Sequence, residues 1–485
     1  MAEELSPDIC VIGGGPGGIA AATAAAAEGV SVVLVEKGRF GGTNLVSGAV
    51  PSKALLAAAE IYEALRTGPA LGVTGAPLQV NLGKVRDHIV AATEAIARNV
   101  ASERLAAKGI RVITGEARFA NPGMIVVGEA AITARRFVLA IGSVPAMPAL
   151  SGLDTVETMT FAEGFELARK PAHLLILGAG RYALEFAQAY ARLGIDATVI
   201  DEAPALSDDD PELAAVVVDR LRAEGIRIRA GVKIHGIARR RGGIRVTLAD
   251  PGDAEAGGAE IAVDGSHLLV ATGRAPAVGN LGLAAAGIDS DDSGIVVDRK
   301  LRTTNRRVYA IGDAVAGPAL AVRAEYQARA VVRSILYRLS RREDDTAIPR
   351  VAFTDPALAA VGLGEAEARG RHPDARVLRF PFMENDRAHI ERQPAGMIKV
   401  VATRGGLILG AAIVGRGAGE LIAPWSLAVG NRLSLAAMRA FVPPYPTRSA
   451  VSARVASLDD APPPTLRGLT PRIRRRIIDA LRKLG

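Results

Sequence analysis

Two stretches of this chain set glycines and an acid at the same spacing. Gly13, Gly15 and Gly18 form a G-x-G-x-x-G turn enclosing Pro16 and Gly17, and Glu36 follows the first glycine by 23 residues (13 to 36). Gly178, Gly180 and Ala183 repeat the turn around Arg181 and Tyr182, and Asp201 again follows by 23 (178 to 201). In such a turn the glycines let the backbone approach a pyrophosphate at a helix N-terminus, and the acid accepts hydrogen bonds from ribose hydroxyls. One copy alone is weak evidence. Two copies at equal spacing, each with an apolar run before it and a helical pattern after it, point to two dinucleotides, most simply FAD and a nicotinamide cofactor.

Each turn needs a strand–helix–strand unit to hold it. Residues 8–12 read as a strand, Ile19 to Glu28 as an alanine-dominated helix closed by Gly29, and Ser31 to Val35 as the next strand. In the second copy the strands are His173 to Leu177 and Asp196 to Ile200. Between the copies lie a helical stretch over about 84–108 and short strands at 111–114, 124–127 and 137–142. Residues 341–349 read as a polar linker, and from Arg350 the pattern changes to alternating strands.

The bulk numbers narrow the chemistry. The chain has 485 residues, 49% of them hydrophobic and 23% charged, which suits a globular protein of several domains. A formal charge of +8 favours anionic ligands such as dinucleotides, and no nucleic-acid-binding signature accompanies it. Cys10 is the single cysteine, so a disulfide within the chain and a cysteine-rich metal site are both excluded, and no metal is expected. Cys10 lies in an apolar strand pattern and reads as a small buried hydrophobe. The N-terminus lacks the pattern of a signal peptide, and no apolar run approaches the ~20 residues of a membrane span, so a cytoplasmic location is expected.

The stretch Gly41 to Lys53, GGTNLVSGAVPSK, resembles the redox-active segment of the class I pyridine nucleotide-disulfide oxidoreductases, the group of dihydrolipoamide dehydrogenase, glutathione reductase and mercuric reductase. That segment reads roughly GGTCxNxGCxPSK. Gly41, Gly42, Thr43, Gly48, Pro51, Ser52 and Lys53 keep the frame, whereas the two cysteine positions are Asn44 and Ala49. Further similarities are Phe137 to Gly142, the run LLVATGRAP ending at Pro276, and Tyr309-Ala-Ile-Gly312-Asp313 ahead of a helix at Ala321 to Ala330. The likeness spans about residues 5–455. It implies a glutathione reductase-like α/β fold with two Rossmann-like dinucleotide-binding domains and a C-terminal α+β dimerisation domain. The expected divisions are FAD domain 1–147, NAD domain 148–275, a return to the FAD domain over 276–345, interface domain 346–460, and a tail over 461–485.

The same likeness assigns expected roles. FAD would be held by Gly13, Gly15, Pro16, Gly17, Gly18, Glu36, Lys37, Gly42, Thr43, Lys53, Ala117, Ala140, Gly142, Gly312, Asp313 and Ala321. NAD would be held by Gly178, Gly180, Arg181, Tyr182, Ala183, Glu185, Asp201 and Gly273. Lys53 matches the lysine beside the flavin N5 and Glu185 its buried partner. Asp201 favours NADH, because an acid there repels a 2′-phosphate, although Ala183 and Arg181 are compatible with one. The family's His-Pro-Thr segment, with a Glu three residues after the Thr, stands here as Tyr445-Pro446-Thr447, with Ala450 at the Glu position. Both thiols, the base and its orienting acid are replaced together.

A reduced flavin without a neighbouring disulfide can pass electrons directly to a quinone-like or other small oxidant, with Tyr445 of the second subunit as candidate proton donor or as pocket filler. Soluble transhydrogenases of this family share the Tyr-Pro-Thr, which keeps transhydrogenation open. A flavin-bound scaffold or sensor without turnover is a third possibility. Beyond a rigid break at Ala461 to Pro464, residues 471–484 read as a basic helix with Ile473, Ile477, Ile478, Leu481 and Leu484 on one face. It suits either an anionic membrane surface or docking on a protein.

Overall fold

The computed structural model describes residues 3–75, 78–249, 260–339, 344–458 and 470–482. The break at 461–464 and the residues Lys483 and Leu484 lie outside them. The chain divides into two compact units, Met1–Ser207 with Val218–Asp345, and Asp208–Val217 with Thr346–Gly485.

In chain order the first unit is built on β1 (Ile9–Ile12), α1 (Pro16–Ala27), β2 (Val32–Glu36), α2 (Gly42–Val46), α3 (Ala49–Thr67), α4 (Leu82–Ala97), β3 (Ile110–Thr114), β4 (Arg136–Leu139), β5 (Leu174–Leu177), α5 (Arg181–Arg192), β6 (Ala197–Asp201), β7 (Arg227–Ala230), β8 (His267–Val270), β9 (Val308–Ala310) and α6 (Ala321–Tyr337). One parallel sheet has the order β9-β4-β1-β2-β3 and the other β7-β6-β5-β8. In each, the chain moves outward from the first strand on one side and then returns to its other side. The strand carrying the glycine turn therefore sits at the point where strand order reverses, and a crevice for a ligand opens at its C-terminal end. The strands that carry the glycine turns are apolar throughout, as strands covered on both faces require, and all of β1 and all of β5 are buried; the edge strand β7 instead alternates, with Arg227 and Arg229 exposed. Alanine serves packing in α1. A Cβ built on Gly17 would already touch the Cβ of Ala324 on α6 at 3.0 Å, so the two helices meet through small residues.

The helical stretch expected over about 84–108 is made of three consecutive pieces. The helix α4 stops at Ala97, a 3₁₀ turn covers Arg98–Val100, Ala101 takes extended backbone (ψ 147°), and Ser102–Ala106 starts again.

The second unit is an antiparallel sheet of β10 (Arg350–Ala352), β11 (Ala357–Gly362), β12 (Arg376–Pro381), β13 (Met397–Ala402) and β14 (Ile408–Gly415), in the order β10-β11-β14-β13-β12. The short helix α7 (Asp386–Ile390) lies between β12 and β13, and α8 (Ala450–Ser457) and α9 (Pro471–Arg482) follow the sheet. Its core is centred on Trp425, whose indole N–H donates to Ser452 Oγ at 3.0 Å.

Candidate functional site

The two glycine turns have the same backbone geometry. Gly13 and Gly178 have φ of +106° and +109°, and a Cβ at either would fall 2.2 Å from Ala140 O or 2.4 Å from Ala271 O, so only glycine is accommodated. Their amides donate to Val35 O at 2.8 Å and to Ile200 O at 2.7 Å. Glu36 accepts from the amide of Gly14 through one oxygen (2.5 Å) and of Gly38 through the other (2.6 Å). Asp201 repeats this with Ala179 (2.6 Å) and Ala203 (2.9 Å). Each acid thus ties the turn to the segment after the next strand. The helices that follow, α1 and α5, have no side-chain cap, and their N-cap residues Gly15 and Gly180 face open space: a Cβ on either meets no atom within 4 Å. Uncapped amides, a helix N-terminus and vacant room ahead of a glycine fit a pyrophosphate in both places. The two copies differ at the first helical position, Pro16 in one and Arg181 in the other.

Where the two halves of the first unit meet, α3 packs against α5. The buried residues of α3 include Pro51, Leu55, Ala59 and Glu63, one every four positions, which is a helical stripe. At its far end Glu63 is held by Arg66 (2.7 and 2.8 Å) and by Arg220 (3.0 Å). At its near end Lys53 Nζ donates to Glu185 Oε2 at 2.6 Å and to Ser52 Oγ at 3.1 Å. The Glu185 side chain is 2% exposed and that of Lys53 is 30% exposed. Tyr182, one turn before Glu185, places its ring 5.3 Å from the Lys53 ammonium and packs edge-on against Phe161. Burial first, then the charges of Glu185 and Asp313, hold the Tyr182 phenol above its ordinary value. The two charges that the motifs single out are therefore in contact, with an aromatic ring beside them.

A second cluster includes residues that the sequence reading did not assign. Ser143 Oγ donates to Asp313 Oδ2 at 2.6 Å, and Arg274 donates to Ser143 Oγ at 2.7 Å, Ser143 O at 2.6 Å and Thr43 Oγ1 at 3.3 Å. Burial pulls the Arg274 guanidinium below its ordinary value, and the charge of Asp313 opposes that shift. Arg274 lies inside the ATGRAP run, and Ser143 comes directly after the quoted run that ends at Gly142. Their mutual contact was not legible, because it spans 131 residues.

Among the other expected residues, Gly142 and Gly312 have φ of +69° and +68°, and the Gly312 amide donates to Gln327 Oε1 at 2.6 Å. Ala140 continues the line of β4 and donates to Ile12 O at 2.8 Å. Ala321 opens α6, again without a side-chain cap. Lys37 pairs with Glu116 at 3.5 Å on the surface, next to buried Ala117. Gly273 is exposed, with φ +138°. Asn44 lies in α2 and Ala49 opens α3, both partly exposed. Cys10 is fully buried in β1, and burial pushes its thiol far above the ordinary range.

In the second unit Tyr445 is 81% exposed. Its segment is pinned to α7: Asn385 Nδ2 donates to Thr447 O at 3.1 Å, and Arg448 bonds Glu391 and Gln393. The carboxylate of Asp386, on α7, acts on the Tyr445 phenol and raises it above its ordinary 10. The sequence reading found Ala450 where an orienting acid would stand and took the acid to be missing. Ala450 stands at that position, and Asp386, 59 residues earlier in the chain (386 to 445), is a carboxylate that acts on the Tyr445 phenol from α7. No sequence signal marks that carboxylate.

Comparison with known proteins matches residues 7–328 to the pyridine nucleotide-disulphide oxidoreductase family and residues 348–454 to the dimerisation domain of that family. This chain belongs to the pyridine nucleotide-disulphide oxidoreductases. It is 36% identical over 456 residues to a mercuric reductase from Streptomyces lividans, covering 91% of this chain and 93% of that protein. It is 31% identical to a dihydrolipoyl dehydrogenase from Geobacillus stearothermophilus, covering 94% and 96%. Among solved structures, LpdA from Mycobacterium tuberculosis superposes with a TM-score of 0.84 at 26% identity, over 94% of this chain and 99% of that one. The family member described here is an FAD-dependent pyridine nucleotide oxidoreductase, and its dimerisation domain supports a homodimer.

Proposed function

We propose that this chain takes hydride from NADH and delivers electrons directly to a small non-disulfide oxidant of quinone type, without dithiol chemistry. Bound FAD supplies the two-electron carrier. The observation that supports this reading is the pair Asn44 and Ala49 in a frame otherwise shared with the family's redox segment, together with a sole thiol buried in β1.

The chain's own residues have separable tasks. The two nests would hold the two dinucleotides, FAD at Gly13–Gly18 and NADH at Gly178–Ala183. Glu36 and Asp201 shape these loops and offer their remaining lone pairs to ribose hydroxyls, and the charge of Asp201 disfavours a 2′-phosphate. Lys53, oriented by Glu185, would hold a fixed positive charge beside the bound flavin and stabilise negative charge there. Asp313, fixed by Ser143, would receive the ribityl chain. Tyr445 of one protomer would face the acceptor side of the other protomer's flavin. There its hydroxyl would donate a hydrogen bond or a proton to the acceptor, or its ring would fill the pocket. A cytoplasmic location is part of the proposal. The Tyr445-Pro446-Thr447 segment also favours a second reading, transhydrogenation between NAD and NADP.

The test is anaerobic stopped-flow reduction of the holoprotein by NADH and by NADPH, followed by mixing with quinones, lipoamide, glutathione disulfide and NADP. Rapid reduction by NADH and reoxidation by quinones alone is the expected result. Reoxidation by NADP alone would select the second reading. Steady turnover on lipoamide would overturn the proposal, and a flavin band that NADH does not bleach would leave a non-catalytic scaffold or sensor.

A further inference from the structure

The helix α9 (Pro471–Arg482) has no task in that reading. Arg472, Arg475, Arg476 and Arg482 are exposed, Arg474 is half-buried, and Asp479 is the helix's single acid. Ile473 and Ile478 remain 44% and 45% exposed. At about 100° per residue, Ile473, Ile477 and Ile478 share an arc of about 140°. The side chain of Leu481 lies outside what the structure describes. Twelve residues extend about 18 Å, too short to cross a hydrocarbon layer of about 30 Å. No described helix is long and apolar enough to cross a membrane.

We propose that α9 is a peripheral anchor that lies on an anionic lipid surface, its isoleucines among the upper acyl chains and its arginines among the headgroups. The two halves of the pattern select this occupant. A nucleic acid would use the arginines but leave Ile473 and Ile478 in water. A second copy of the helix would cover the isoleucines but bring five arginines against five others. A lipid interface satisfies both, and Arg474, which falls inside the apolar arc about 100° from Ile473, would reach the headgroups along its own aliphatic stem. Such an anchor would hold the protein where lipid-soluble oxidants partition.

The test is co-sedimentation of the FAD-loaded full chain with vesicles of pure phosphatidylcholine and with vesicles containing about a quarter phosphatidylglycerol. We expect binding to the anionic vesicles at least about tenfold tighter than to the neutral ones, weakening as salt rises from about 0.1 M to 1 M. Each arginine near such a surface contributes about fivefold, so Arg472→Gln, Arg475→Gln and Arg476→Gln together reduce binding about 100-fold. Ile473→Ser with Ile478→Ser removes the part that survives high salt. Flavin content and NADH oxidation with a water-soluble dye, unchanged in both variants, show that they are folded. Equal binding to both vesicles, no binding, binding that survives either variant, or dimer mass lost on deleting residues 465–485 would overturn the proposal. The readout involves no turnover, so it does not depend on the identity of the electron acceptor.

Discussion

Replacing Lys53 by methionine tests the central contact most sharply. At an effective dielectric of about 20, two unit charges separated by the 2.6 Å between Nζ and Oε2 attract by about 6 kcal/mol, most of which offsets desolvation. The partners are not equally buried, since Glu185 is 2% exposed and Lys53 30%. Lys53→Met removes the cation that neutralises a buried carboxylate and is expected to cost about 3–5 kcal/mol of stability. Glu185→Gln keeps an oxygen in place and leaves an ammonium that can turn to water and to Ser52 Oγ, so it is expected to cost only about 1–2 kcal/mol. Lys53→Met with Glu185→Leu recovers most of the loss. Urea unfolding of the three variants measures this order. Stopped-flow flavin reduction by NADH measures the second consequence: Lys53→Met slows it about 10²–10³-fold and Glu185→Gln about tenfold. A Glu185→Gln variant as unstable as Lys53→Met, or unaltered reduction in Lys53→Met, would refute the reasoning.

Four further outcomes are expected. Tyr445→Phe lowers turnover with quinones but leaves flavin reduction by NADH unchanged. In an absorbance titration, Asp386→Asn lets one tyrosine ionise at lower pH than in the parent, because the carboxylate that holds its phenol above 10 is gone. Cys10→Ala costs about 1 kcal/mol of stability and leaves turnover intact, and the parent resists thiol reagents until unfolded, since the only thiol is fully buried. In the second unit, buried Lys399 bonds Asp210 (2.6 Å), Glu212 (2.9 Å) and Glu365 (2.6 Å), and the hydrogen bond from Arg379 contributes most to lowering Glu212 to about 2. A depressed carboxylate gives its full stabilisation above its unfolded value near 4.5 and loses it as pH falls toward 2. Acid unfolding followed by circular dichroism should show a Lys399→Met variant that is weaker at neutral pH and less sensitive over that window.

Local chemistry made the two nests legible. A left-handed glycine, a helix start and an acid at the end of the following strand are each encoded within 24 residues, and the backbone repeats them. The strand elements followed from runs such as Ile9–Ile12 and Leu174–Leu177, where burial on both faces leaves only apolar residues. Within the helical stretch over about 84–108, the break at Arg98–Ala101 is not legible, because the helical pattern continues through residues where the backbone does not. Contacts between distant segments were legible only where a motif named both ends, as for Lys53 and Glu185, 132 residues apart. Arg274 with Ser143, and Asp386 with Tyr445, join segments that no local pattern connects, so the structure was needed to find them.

The carboxylates of Glu36 and Asp201 each hold two backbone amides, one per oxygen, before any sugar arrives. Each acid is therefore a keystone of its loop, apart from the ribose contact proposed for it. An engineer who swaps Asp201 for a small neutral residue to admit NADPH would also unfasten Ala179 from Ala203, and the arch would sag before the preference changed. Any successful exchange of coenzyme has to supply a new strut between those two amides.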